Sequence, residues 1–394
     1  MKIIGKFMYL YLLILLGLLQ NCSQTGKIVR VSTVEDLQRA VLDADSNVTI
    51  LIEDGTYPLT RSLWIENKAH FAIRSASGDA KKVILKGGGW EGGKPDDVIV
   101  VRSSDGITIS DLTITEAQSY GIKVEAYADE PHPKNVNILR CNFMNIGMRA
   151  IKGTGPTDRK PLVGGSVRFC NFENTKIPDT SWLFNGDYIS GIDMMCLEDW
   201  EFTDNNFKNI KGANGGARGA IFIWVRSRNV LVERNVFIGC DRSIAFGNPH
   251  NPEYSESGML HDYGGIIRNN FIVADTERGT GIEVAWTDNV QVCNNTIYSP
   301  DLNYSAIHYF MKTSRLLVSN NLARGRIYGE GDVRLEGNVT GDMDGYFVNP
   351  AAGDLHLTES ASEALGKGVQ LNSVKEDIDG QKRKKSTDVG ADQK

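Results

Sequence analysis

The chain has 394 residues, a net charge of -6, 41% hydrophobic residues and 41 glycines. That balance describes a soluble globular chain with many bends and argues against a basic groove for nucleic acid. None of the six cysteines shows CxxC spacing, which argues against a zinc site, and no metal ligand set is assigned.

Met1 to Asn21 carries Lys2 and Lys6, then a nearly unbroken apolar run from Phe7 to Leu19, and reads as a signal peptide (1–21) rather than a fold element. With Leu19 and Cys22 placed as they are, the run resembles a bacterial lipoprotein signal. The resemblance implies that Cys22 becomes the lipidated N-terminal residue of an exported chain held at the envelope, periplasmic or cell-surface, ordinary secretion being the alternative. A linker (22–30) follows. Ser32 to Ala44, with a Ser or Thr cap, early acids and Val34, Leu37 and Val41 on one face, predicts a short amphipathic helix covering one end of what comes next.

Residues 31–340 repeat one phrase: strand, bend, strand, bend, each apolar run too short for a helix. Gly216 to Pro249 shows it twice. An apolar residue is followed three steps on by Asn or Cys and two steps further by another apolar residue. The middle place is taken by Leu112, Cys141, Cys170, Asn205, Asn235, Asn270, Asn295, Asn320 and Asn338, at spacings of roughly 18 to 35 residues, a solenoid period. A second column holds Ile122, Ile151, Ile192, Ile221, Ile244, Ile282 and Ile307. Stacked coils need such a column, and a buried Asn at each bend can bond its neighbours as a ladder. Cys141 and Cys170 are expected as stacked, buried thiols. This pattern resembles the right-handed parallel β-helix of the pectate-lyase-like superfamily, so the expected class is all-β, a single-stranded right-handed solenoid. The superfamily holds lyases, hydrolases, epimerases and binding proteins, so the resemblance leaves the reaction open. Residues 341–394 read as a C-terminal cap and tail, in which Asp377 to Gly380, Arg383 and Asp388 to Asp392 resemble a signature of secreted β-helix proteins.

Long insertions beside the Ile column (126–134, 154–165, 176–190, 211–219 and 248–264) are expected to wall a groove along that sheet. Strand alternation puts the residue after each Ile on the outer face: Lys123, Lys152, Asp193, Phe222, Ala245, Glu283 and His308. Two steps on lie Glu125, Thr154, Met195, Trp224, Gly247, Ala285 and Phe310. The map predicts a hollow over Ala245 and Gly247, walled by Phe222 and Trp224 on one side and Glu283 with His308 on the other, where a sugar ring would stack. Arg218, Arg226 and Arg242 would present forked donors to a carboxylate or sulfate. Arg226 is placed on the outward parity of its strand. Lys152 with Asp193, and Glu283 with His308, stand one rung apart. Each pair reads as a salt bridge or as a functional dyad.

The sequence reading is an acidic-polysaccharide-binding protein, expected as a monomer, that cleaves by β-elimination. His308 or Lys152 would be the base, with Glu283 orienting His308, and Arg226 and Arg242, or a calcium ion, would neutralise the carboxylate. Asp193, Arg218, Phe222, Trp224, Arg242 and His250 are the expected substrate contacts. Calcium needs several oxygen ligands, and no such set can be assigned. The alternatives are a glycoside hydrolase on the same scaffold and a non-catalytic glycan-binding or surface protein. Asp193 and Glu283, three rungs or roughly 14 Å apart, are too far apart for a hydrolytic pair.

Overall fold

The structure, a computed structural model, describes residues 26–154, 160–249, 260–275 and 278–394. Among these residues the strands stack as three long parallel sheets of 15, 11 and 10 strands, each coil contributing to all three in turn. The expected Ile column forms rung for rung in the third sheet: Ile122 pairs with Ile151, Ile151 with Ile192, and so on through Ile221, Ile244, Ile282 and Ile307. All seven are fully buried. At roughly 1.5 to 3 kcal/mol for each fully buried aliphatic side chain, the column is a principal source of cohesion between coils. The second sheet contributes a stack of Phe143, Phe172, Phe207 and Phe237 with ring centroids 4.7, 4.5 and 4.9 Å apart.

The polar ladder also forms, with one correction. From Cys170 the backbone N–H of each member donates to the side-chain oxygen of the next, through Asn205, Asn235, Asn270, Asn295, Asn321 and Asn338, at 2.9 to 3.2 Å. Asn321, not Asn320, holds the place. In coil after coil the residue before the ladder member is left-handed, as at Arg234 (φ 53°), Asn269 (φ 53°) and Asn294 (φ 52°), and Asn320 (φ 55°) fills that bend. Its side chain faces the tail instead and bonds both backbone groups of Val369. Cys141 and Cys170 are buried, unbridged thiols in adjacent coils.

Helix α1, Val34–Asp43, is capped by Thr33, whose hydroxyl accepts from the Asp36 N–H, and it buries Leu37 and Val41. The first strand, Lys27–Val31, already pairs with Val48–Ile52, so the solenoid begins inside the stretch expected as linker. At the other end an antiparallel hairpin (Phe347–Asn349 with Asp354–Leu357) leads into a tail that lies along the flank of the coils. Half-buried Arg383 donates to the carbonyls of Gly390 and Ala391 and to the Asn269 side chain, and the Ala391 N–H donates to Thr296.

Candidate functional site

The register of the third sheet fixes its outer face. Lys123, Lys152, Asp193, Phe222, Ala245, Glu283 and His308 are consecutive partners, continued by Tyr328. Strict alternation fails one residue before each Ile. A Cβ on Gly121 would meet the Phe143 ring and one on Gly191 the Phe207 ring, so that position also faces the core. The residue two before the Ile is thereby turned outward. It is Arg149 in one rung and Arg242 in another, with Tyr120 paired to Arg149. Counting by alternation alone missed Arg149 and Tyr120. The shared spacing of Arg149-Ala-Ile and Arg242-Ser-Ile is the signal that would have found the arginine.

Arg149 and Lys152 converge on Asp193. The Arg149 Nε lies 2.6 Å from Oδ2 and the Lys152 Nζ 3.0 Å from Oδ1, with all three side chains buried. The Trp224 indole N–H donates to Oδ1 at 3.0 Å, and the Arg149 guanidinium lies 3.7 Å from the centre of the Tyr188 ring. Burial alone would raise the Asp193 pKa, but the charges of Lys152 and Arg149 pull it down to about 2. Burial pushes the Tyr120 phenol up to about 12, reinforced by the neighbouring Tyr188.

A second group lies further along the face. Arg242 sits 3.3 Å from Glu283 and also donates to the Arg218 carbonyl. Glu283 is thus engaged by Arg242, and no hydrogen bond joins it to His308, contrary to the expected orienting role. The half-buried His308 ring stacks on Phe310 and Tyr328 at 4.3 and 4.5 Å. Burial, with Arg326 and Arg242 acting in the same direction and Glu283 against them, holds its pKa below the ordinary value. The imidazole is therefore neutral at pH 7.

Three placements differ from expectation. Arg226 is not on a strand, because the strand ends at Trp224 and both Val225 and Arg226 turn left-handed (φ 56° and 57°). Phe222 is 3% exposed, stacked against Trp224, and Ala245 is fully buried, so the expected hollow is not open. Gly247 (φ 99°) is not a vacant outward position, since a Cβ there would collide with the Ala285 carbonyl. Arg218 lies beside the site, its guanidinium 4.7 Å from the centre of the Phe184 ring, and His250 falls outside the described residues.

For a cation, Asp193, Glu125 and Glu283 on the face each already meet a positive side chain. A group of His356, Asp379 and Asp392 with ligand atoms within 4.8 Å of one another lies at the C-terminal cap, where the His356 ring packs edge-on against Phe271 of the second sheet. There the imidazole bonds Asp354 and Asp379, and the Asp392 carboxylate accepts from the Leu357 N–H.

No curated protein matches the chain by sequence. Solved structures similar to it include the surface adhesin PfbA of Streptococcus pneumoniae (13% identity, TM-score 0.52, 78% of this chain and 92% of that one). Others are the alginate lyase AlyF-OU02 with G6 (13%, 0.52, 94% and 93%) and the pectate lyase Pel9A (12%, 0.50, 94% and 97%). At these identities the likeness is one of fold. Residues 97–323, more than half of the 394, match the family model of the right handed beta helix region, and the chain belongs to that family.

Proposed function

We propose that this is an exported protein, anchored through Cys22, that binds an acidic polysaccharide along the outer face of the third sheet and cleaves it by β-elimination. The observation that carries the reading is His308, a neutral, half-buried imidazole flanked by Arg242 and Arg326. Elimination from a uronate requires removal of the proton beside the carboxylate, which is too weakly acidic until the carboxylate charge is neutralised. Arg242 and Arg326 supply the neutralising charge and His308 takes the proton. The electron pair left on carbon forms the double bond as the bond to the glycosidic oxygen breaks. The hydroxyl of Tyr328, stacked on His308 and 3.3 Å from the Ser305 hydroxyl, returns a proton to that oxygen. Lys152, 3.0 Å from Asp193, serves as a cation rather than as the base. A hydrolase is less well supported, since Asp193 and Glu283 remain three rungs apart in the observed register.

The test is a screen of pectate, alginate, glycosaminoglycans and ulvan for an ultraviolet-absorbing unsaturated uronate. His308→Asn should abolish product while retaining binding, and the parent rate should rise through a pKa below the ordinary 6.5. New reducing ends without absorbance would establish a hydrolase. Binding without either product would establish a binding protein.

A further inference from the structure

The segment 176–190 builds a wall beside the sheet; its Tyr188 packs on Arg149 of the Asp193 group, and its Phe184 is used by neither that group nor the His308 group. Within its short 3-10 turn, Leu183–Gly186, Phe184 (φ 54°, ψ 40°) and Asn185 (φ 56°, ψ 39°) are both left-handed. That conformation is uncommon for asparagine and an outlier for a bulky aromatic residue. The turn is held in place. Asn214 donates to the Asn185 carbonyl at 2.7 Å, the Asp187 carboxylate accepts from the Asn214 N–H at 3.0 Å, and Trp182 packs on Trp90 at 5.3 Å. This anchorage presents a Phe184 ring that is 60% exposed, stacked on Tyr188 at 5.3 Å.

Beneath that ring lies Arg218. Its guanidinium has no carboxylate partner among the described residues, and its pKa is lowered by burial first and then by the charges of Arg149 and Arg242. A desolvated cation crowded by two others is stabilised by an incoming anion, and an exposed ring beside it offers a flat apolar surface. We infer that Phe184, Tyr188 and Arg218 form a distal subsite for one uronate residue of a bound glycan, the sugar face on Phe184 and the carboxylate on the forked Arg218 donors. This rests on reading the face as an acidic-glycan site. The Arg218 and His308 rungs are three strand spacings apart, roughly 14 Å, so a hexasaccharide reaches both groups and a disaccharide does not.

The left-handed backbone provides a test that separates binding from folding. Phe184→Gly removes the ring and puts the residue that prefers this conformation in its place. In a His308→Asn background, which prevents turnover, calorimetry would use galacturonate, mannuronate and guluronate hexasaccharides and the matching disaccharides. Phe184→Gly should raise the hexasaccharide Kd roughly tenfold, equivalent to about 1.4 kcal/mol, with the disaccharide Kd unchanged and the melting temperature equal or higher. Arg218→Gln should narrow the Kd difference between the hexasaccharide and its carboxyl-reduced form without abolishing it, since Arg242 and Arg326 still meet carboxylates. Hexasaccharide binding at parental strength in both variants would overturn the subsite and leave the proposed function standing. A Phe184→Gly variant that melts lower and binds as the parent would show the ring to be structural and overturn it too. If the background protein binds none of the hexasaccharides, both readings fall.

Discussion

Asp193→Asn tests the electrostatic logic of the site most directly, because the substitution keeps shape and removes only the charge on which Arg149, Lys152 and Trp224 converge. Two buried cations would then stand together without an anion. The Asp193 pKa of about 2, against an ordinary 3.8, corresponds to about 2.5 kcal/mol of stability held by the ionised form. Breaking a buried pair generally costs about 3 to 5 kcal/mol. The lower end is expected here, since Arg149 keeps its contact with the Tyr188 ring. The sign is fixed by linkage. A carboxyl with a depressed folded-state pKa contributes fully above the unfolded value, near 3.8, and loses that contribution as pH falls through about 2. Urea denaturation of parent and variant side by side should therefore show a gap of about 2.5 kcal/mol or more at pH 7, narrowing between pH 4 and pH 2. Every other carboxylate titrates alike in both proteins and cancels in the difference. Equal stability at pH 7, or a gap that does not change with pH, would refute the reasoning.

Asn235→Leu should destabilise by about 3 kcal/mol, because it strips partners from the Asn205 N–H and side chain and from the Phe202 and Glu233 carbonyls; an unchanged denaturation midpoint would rule that out. Cys22→Ala should abolish palmitate labelling and shift the protein from the membrane fraction to the soluble one. Labelling that survives the substitution would exclude the lipid anchor.

The coil register was readable because inward places are strict. Each rung buries an Ile on the next, and no other residue type interrupts the column from Ile122 to Ile307. The ladder was readable for the same reason, a buried Asn at each bend having only its neighbours to bond. The slip at Asn320 came where two asparagines adjoin. Asparagine suits both the left-handed bend and the ladder, so residue type could not choose between them, whereas the two contacts of Asn320 with Val369 can.

The outer face was readable only in part, because outward places obey no packing rule and their meaning depends on what folds over them. Alternation placed Lys152 next to Asp193 correctly, since both follow a column Ile. It lost Arg149, since the chain turns two successive residues inward before it resumes alternating. It left Phe184 unconsidered altogether. An aromatic residue in a long insertion carries no periodic signal, and its role rests on a left-handed turn fixed by Asn214, which bonds Asn185 and Asp187 from 29 and 27 residues away in sequence. The same asymmetry bears on how such a scaffold changes function. The inward columns constrain every rung at once, while a single substitution in an insertion such as 176–190 alters what the face meets and leaves the coils intact.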